Sequence, residues 1–105
     1  MPQALRTYAV TVEHGPAWDD SRSLREQDAW DEHAAFMDAL VDEGFIVLGG
    51  PVGGGNWVLH VVRADSEDAI RERLGQDPWV PMDLLRVKAV EPWEVLLGEL
   101  PMPAG

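Results

Sequence analysis

The chain has 105 residues, a formal net charge of −11, no cysteine and 46% hydrophobic residues. That length holds one domain rather than two, and the apolar fraction is too high for a disordered acidic tail, so a packed core is expected. Without cysteine there is no disulfide, thiolate zinc site or iron–sulfur cluster, and nineteen acidic against eight basic residues argue against a nucleic-acid partner.

The opening residues Met1-Pro2-Gln3-Ala4-Leu5-Arg6 have no basic stretch leading into an apolar one, and no apolar run approaches membrane length. A cytoplasmic location without a membrane partner is therefore expected. From Leu5 to Glu13, Tyr8, Val10 and Val12 alternate with Thr7, Ala9 and Thr11, the period of a strand. His14-Gly15-Pro16 ends it and places His14 at an exposed strand end. A polar connection follows to Gln27, carrying Trp18, Asp19-Asp20 and the capping-box spacing Ser23-Leu24-Arg25-Glu26.

From Asp28 to Glu43 the period lengthens. Trp30, His33, Met37, Leu40 and Val41 recur every three to four residues with Phe36 beside them, predicting an amphipathic helix closed by Gly44 in left-handed conformation. Phe45 to Leu48 reads as a strand running into Gly49-Gly50-Pro51, and Gly53-Gly54-Gly55-Asn56 as the turn of a hairpin whose second strand is Trp57 to Ala64. Asp65 or Ser66 caps a second helix with Ala69, Ile70 and Leu74 buried and Gly75 as its stop. Gln76 to Trp79 is a turn, Leu84 to Glu91 the last strand, and Gly98 onward a Pro/Gly-rich tail.

Strand, helix, strand, strand, helix, strand is the α+β, ferredoxin-like βαββαβ order, with two helices on one face of a four-stranded antiparallel sheet. The first and third strands are expected inside, and Pro92 suits an edge. The other sheet face is also apolar, as Trp57, Leu59 and Val61 show, and no third helix is left to cover it. Sheet-to-sheet homodimerisation is the expected answer; the loop around Trp18 or the tail folding over is the alternative.

Three histidines can exchange protons near neutral pH. His60 lies mid-strand among apolar neighbours and reads as a satisfied structural residue. His33 lies on the apolar stripe of the first helix, between Trp30 and Met37; such a histidine is, taken alone, more often a hydrogen-bonded core residue than a catalyst. Its candidate partner is Asp77, on a short turn restrained by Pro78. An aspartate accepting from one ring nitrogen fixes the tautomer and leaves the other nitrogen as a base. Equally, an aspartate before proline initiates turns through its own side chain. Trp18, Trp30 and Trp79 are candidates for an aromatic pocket, with core packing as the default. The glycine clusters lack phosphate-loop spacing, no histidine cluster has metal-ligand spacing, and the acidic clusters read as a solvated face, so no metal and no cofactor are expected.

The run Trp30-Asp-Glu-His33-Ala-Ala-Phe36-Met37, then Leu40, Gly44-Phe45, Leu48-Gly49-Gly50-Pro51, Asp77-Pro78-Trp79 and Pro92-Trp93, resembles the YCII-related domain family from the first strand to about Leu97. The resemblance implies a ferredoxin-like domain over residues 1–97, followed by the tail 98–105, paired as a dimeric α+β barrel. It implies a His–Asp active site falling on His33 and Asp77, and a Gly-Pro falling on Gly50-Pro51. One related enzyme is a dehydrochlorinase of a chlorinated hydroxyhydroquinone, and the wider barrel superfamily includes muconolactone isomerases. The stretch Asp19 to Gln27 is an insertion relative to that pattern. The expectation is a cofactor-free lyase or isomerase moving a proton on a small cyclic or aromatic molecule, with Trp30, Met37, Gly50, Pro51 and Trp79 around it. The competing expectation is a non-catalytic small-molecule-binding or dimerisation module.

Overall fold

The structure, a computed structural model, describes residues 5–55 and 57–99. Within them the elements are β1 (Arg6–His14), α1 (Trp30–Asp42), β2 (Ile46–Val52), β3 (Trp57–Ala64), α2 (Glu67–Leu74) and β4 (Leu85–Pro92), with a short 3-10 turn at Leu24–Glu26. The four strands form one antiparallel sheet in the order β2-β3-β1-β4, so β1 and β3 are central as expected. Asn56 and most of the Pro/Gly-rich tail lie outside the described residues.

The local chemistry of each boundary is visible. At the end of α1, Gly44 takes φ 80°, its amide bonds the Val41 carbonyl, and the Phe45 amide reaches back to Leu40. That is the two-bond C-terminal closure that glycine permits without Cβ strain. At the start of α2, the Ser66 hydroxyl accepts from the Ala69 amide at 3.1 Å. The capping-box spacing at Ser23 starts only one 3-10 turn, with Glu26 Oε1 accepting from the Ser23 amide at 2.8 Å. β2 runs further than the sequence suggests, through Gly49-Gly50-Pro51 to Val52. This is tolerated because β2 is an edge strand and glycine and proline need not serve two neighbours there.

Directly opposed residues share a sheet face. One face therefore carries the rows Gly49–His60–Val10–Val90 and Pro51–Val58–Val12–Val87 across the four strands. Leu40 of α1 and Ile70 and Leu74 of α2 join Tyr8, Val10, Val12 and Val62 of this face in a single buried cluster. Val41, expected on the buried stripe, is exposed, one helical step beside Leu40. The opposite face leaves Leu48, Val52 and Trp57 open by 54, 37 and 42%.

Candidate active site

α1 and the turn before β4 meet over one end of this sheet face. Ala29, immediately before α1, adopts a left-handed conformation with φ 59°, unusual for a residue with a Cβ. Beside it the Asp28 carbonyl accepts a 2.6 Å hydrogen bond from Trp79 Nε1. This bond ties the start of the helix to the turn that carries Asp77. One turn into α1, His33 is brought against that turn.

His33 Nδ1 lies 2.8 Å from Asp77 Oδ2 and 3.0 Å from Oδ1, and both residues are buried. Asp77 Oδ1 also accepts from the Trp79 backbone amide at 2.9 Å. The two readings of Asp77 are therefore realised together: its side chain closes its own turn and meets the imidazole. An ionised carboxylate only accepts, so the proton of a neutral His33 ring sits on Nδ1 and Nε2 keeps its lone pair. Nε2 has no hydrogen-bond partner among the described residues. The ring plane is fixed too, stacked on the Trp79 indole with centroids 3.8 Å apart and planes 4° apart.

Trp79, fully buried, is the hub of an aromatic wall: Trp30 is tilted against it at 5.9 Å and Trp18 meets it edge-on at 5.6 Å. His14 is not an exposed strand end. It is half-buried and stacks on Trp18 at 3.7 Å, where desolvation lowers its pKa, partly offset by the charge of Asp20. The correction follows from the connecting loop, which folds back instead of projecting into solvent. Gln27, buried to 3% exposure, holds it: its amide donates to the carbonyls of Asp19 and Arg22, and its Oε1 accepts from the Asp19 amide.

These walls line a partly open cavity of about 260 Å³. Every residue expected at the site lines it: His33 and Asp77, and with them Trp30, Met37, Gly50, Pro51 and Trp79. Trp18 and His14 line it as well, and so do Gly49, His60 and Arg86, which the sequence did not single out for the site. Arg86 is largely exposed and bonded to Glu13 at 3.1 Å.

His60 corrects the expectation of a satisfied structural histidine. Only 8% exposed, it leaves Nδ1 buried without a hydrogen-bond partner. A buried unpaired polar atom costs about 1–3 kcal/mol, so its retention asks for a reason. The nitrogen faces the Gly49 backbone, and any Cβ at residue 49 would collide with it. A signal was present: a strand glycine marks close approach of something else, and Gly49 stands directly opposite His60. Desolvation, reinforced by the nearby His33 and partly offset by Asp77, pushes the His60 pKa down from 6.5 to about 4.

Among the described residues no group of three or more His, Asp and Glu side chains is arranged to hold a metal ion, and no helix is long and apolar enough to cross a membrane. Compared with family models, curated proteins and solved structures, the chain finds no match.

The low pKa of His60 has a consequence for stability. The unfolded chain takes up the His60 proton below about pH 6.5, whereas the folded protein resists it until about pH 4. The contribution is constant above the upper value and is lost as pH falls through this window. Denaturant unfolding at about pH 7.5 and about pH 5 should therefore show a loss for the parent about 2 kcal/mol larger than for His60→Leu. Equal losses in the two proteins would contradict the burial of a neutral His60.

Proposed function

We propose that the chain is a small proton-transfer enzyme of lyase or isomerase type, in which His33 is the base and Asp77 its orienting partner. The carrying observation is the direction of the pair. Asp77 occupies Nδ1, and the ring nitrogen left with a lone pair belongs to a residue that lines an aromatic cavity. A histidine with a purely structural role has no need to keep its second nitrogen unpartnered. A binding module without chemistry would share the cavity but gains nothing from that orientation.

In the step, His33 Nε2 removes a proton from a carbon of the substrate. The C–H electron pair becomes a new double bond, and either a leaving group departs with its own electron pair and His33 passes the proton to solvent, or an existing double bond gives up its pair to take the proton back from His33 at another carbon. The first outcome is elimination and the second isomerisation; both are redox-neutral and balance without a cofactor. Asp77 carries the charge matching the protonated ring, and Trp79 keeps that ring in plane. Such acid–base work supplies about 10²–10⁴-fold, and the fixed walls supply the positioning that adds to it.

The resemblance to YCII-related domains supports the same reading, since its His–Asp pair falls on His33 and Asp77. The element order and the β2-β3-β1-β4 sheet support a ferredoxin-like protomer. The exposed Leu48, Val52 and Trp57 on the face away from the buried cluster support pairing of two such sheets as a dimeric α+β barrel.

Two experiments test this. With muconolactone and a chlorinated hydroxyhydroquinone as probes, His33→Gln and Asp77→Asn should each lower kcat by at least about 10²-fold while melting cooperatively. If the parent transforms neither probe and neither raises its melting temperature, the enzyme reading fails. For the assembly, sedimentation equilibrium should give a dimer mass for the parent and a monomer mass for Trp57→Glu. A monomeric parent would remove the barrel.

A further inference from the structure

We infer that His60 is the hydrogen-bond donor of this cavity, holding through its Nε2–H a carbonyl oxygen on a single-ring ligand.

The surroundings of the His60 ring decide which of its nitrogens carries the proton. Nδ1 is sealed against the Gly49 backbone with nothing to accept from it. An N–H pointing there would be buried and unpaired, whereas a bare lone pair needs less room. The proton of the neutral ring therefore sits on Nε2. That atom makes no hydrogen bond within the described residues, yet it is not among the sealed, unpartnered ones, so it opens on the cavity that His60 lines. The ring is neutral at physiological pH, because its pKa lies near 4. It presents one N–H and no charge, which suits an uncharged acceptor.

Among the carboxylate, guanidinium and imidazole groups lining the cavity, His60 is the one set into the apolar sheet floor with a neutral N–H. The Asp77 carboxylate is taken by His33 and the Trp79 amide. In its neutral form His33, with Nδ1–H on Asp77, offers a lone pair at Nε2. Arg86 is largely exposed and bonded to Glu13, and His14 sits in the loop-side wall at the end of β1, stacked on Trp18. A valine would have continued the apolar row of Val10 and Val90 without stranding a buried nitrogen. The size of the ligand follows from the volume. A dry cavity of about 150 Å³ accommodates benzene, so 260 Å³ takes one substituted ring between aromatic walls.

The cavity thus holds an acceptor at His33 and a donor at His60. The inference rests on the proton-transfer reading only in treating the bound molecule as a substrate. Given that reading, the electron pair released when the C–H bond breaks is delocalised onto the carbonyl oxygen, where a donor stabilises the growing negative charge.

The test uses a matched pair, acetophenone and α-methylstyrene, which are close in shape but differ in having a C=O or a C=CH2 group. Acetophenone accepts and cannot donate, so a preference for it does not report on the His33 lone pair. By fluorescence titration of the tryptophans, the parent should bind acetophenone about tenfold more tightly. His60→Leu should bind the two equally, and His60→Gln, which keeps an N–H donor, should retain part of the preference. A preference undiminished in His60→Leu, no preference in the parent, or no binding of either probe overturns the assignment. Should His60→Leu not fold, the ring N–H resonance of His60 in the parent decides: it must move with acetophenone and stay with α-methylstyrene. A His60-dependent preference alongside unaltered turnover in His33→Gln would remove His33 as the base and leave this assignment standing. The converse pair of results would do the reverse.

Discussion

Forty-four residues separate His33 from Asp77 along the chain, and the 2.8 Å contact between Nδ1 and Oδ2 makes one unit of a helix face and a turn. Several neighbouring features bear on that contact. The left-handed Ala29 sets the start of α1, the Asp28 carbonyl holds the Trp79 indole, the indole stacks on the imidazole, and the Trp79 amide bonds the carboxylate. Hydrogen bonds and a ring stack thus fix both partners from several directions, which is what a site needs if its geometry is to be ready before a ligand arrives. Backbone strain at Ala29, where a glycine would be easier, is a local cost held in place by this arrangement.

The second feature is the polarity of an otherwise apolar enclosure. The sheet face beneath the cavity is built from Val10, Val12, Val58, Val87 and Val90, and one position in that lattice is a histidine. Burial keeps His60 uncharged, and Gly49 gives its ring the space that any side chain would remove. Two histidines with different surroundings thus offer different chemistry: one is backed by a carboxylate, the other by a glycine backbone. Environments that drive similar groups apart are a familiar way for one cavity to hold both an acceptor and a donor.

Much of this was legible in the sequence because its causes are local. The period-two run at Tyr8, Val10 and Val12, the helical stripe through His33 and Leu40, the Gly44 stop and the Ser66 cap all act within a few residues, and the elements follow in the order their patterns give, β2 alone running well past its expected end. The candidate site was legible in part: spacing cannot bring residues 33 and 77 together, although a buried-stripe histidine and an aspartate on a proline-restrained turn are the two side chains that the fold brings into contact. What was hidden depends on tertiary folding. His14 is covered because Gln27 bonds the loop back on itself, and nothing near Gln27 in the chain announces that. The orphaned Nδ1 of His60 depends on β2 pairing that brings Gly49 opposite it.

Nitrogen-15 NMR of the His33 ring tests the central claim most directly, because the chemistry rests on which nitrogen carries the proton. In the neutral form of the ring, the account predicts the proton on Nδ1, with Nε2 unprotonated and its resonance shifting when a cavity ligand is added. It also predicts that Asp77→Asn changes the ring's tautomer balance. A neutral His33 protonated at Nε2 in the parent, unchanged by Asp77→Asn, would contradict it.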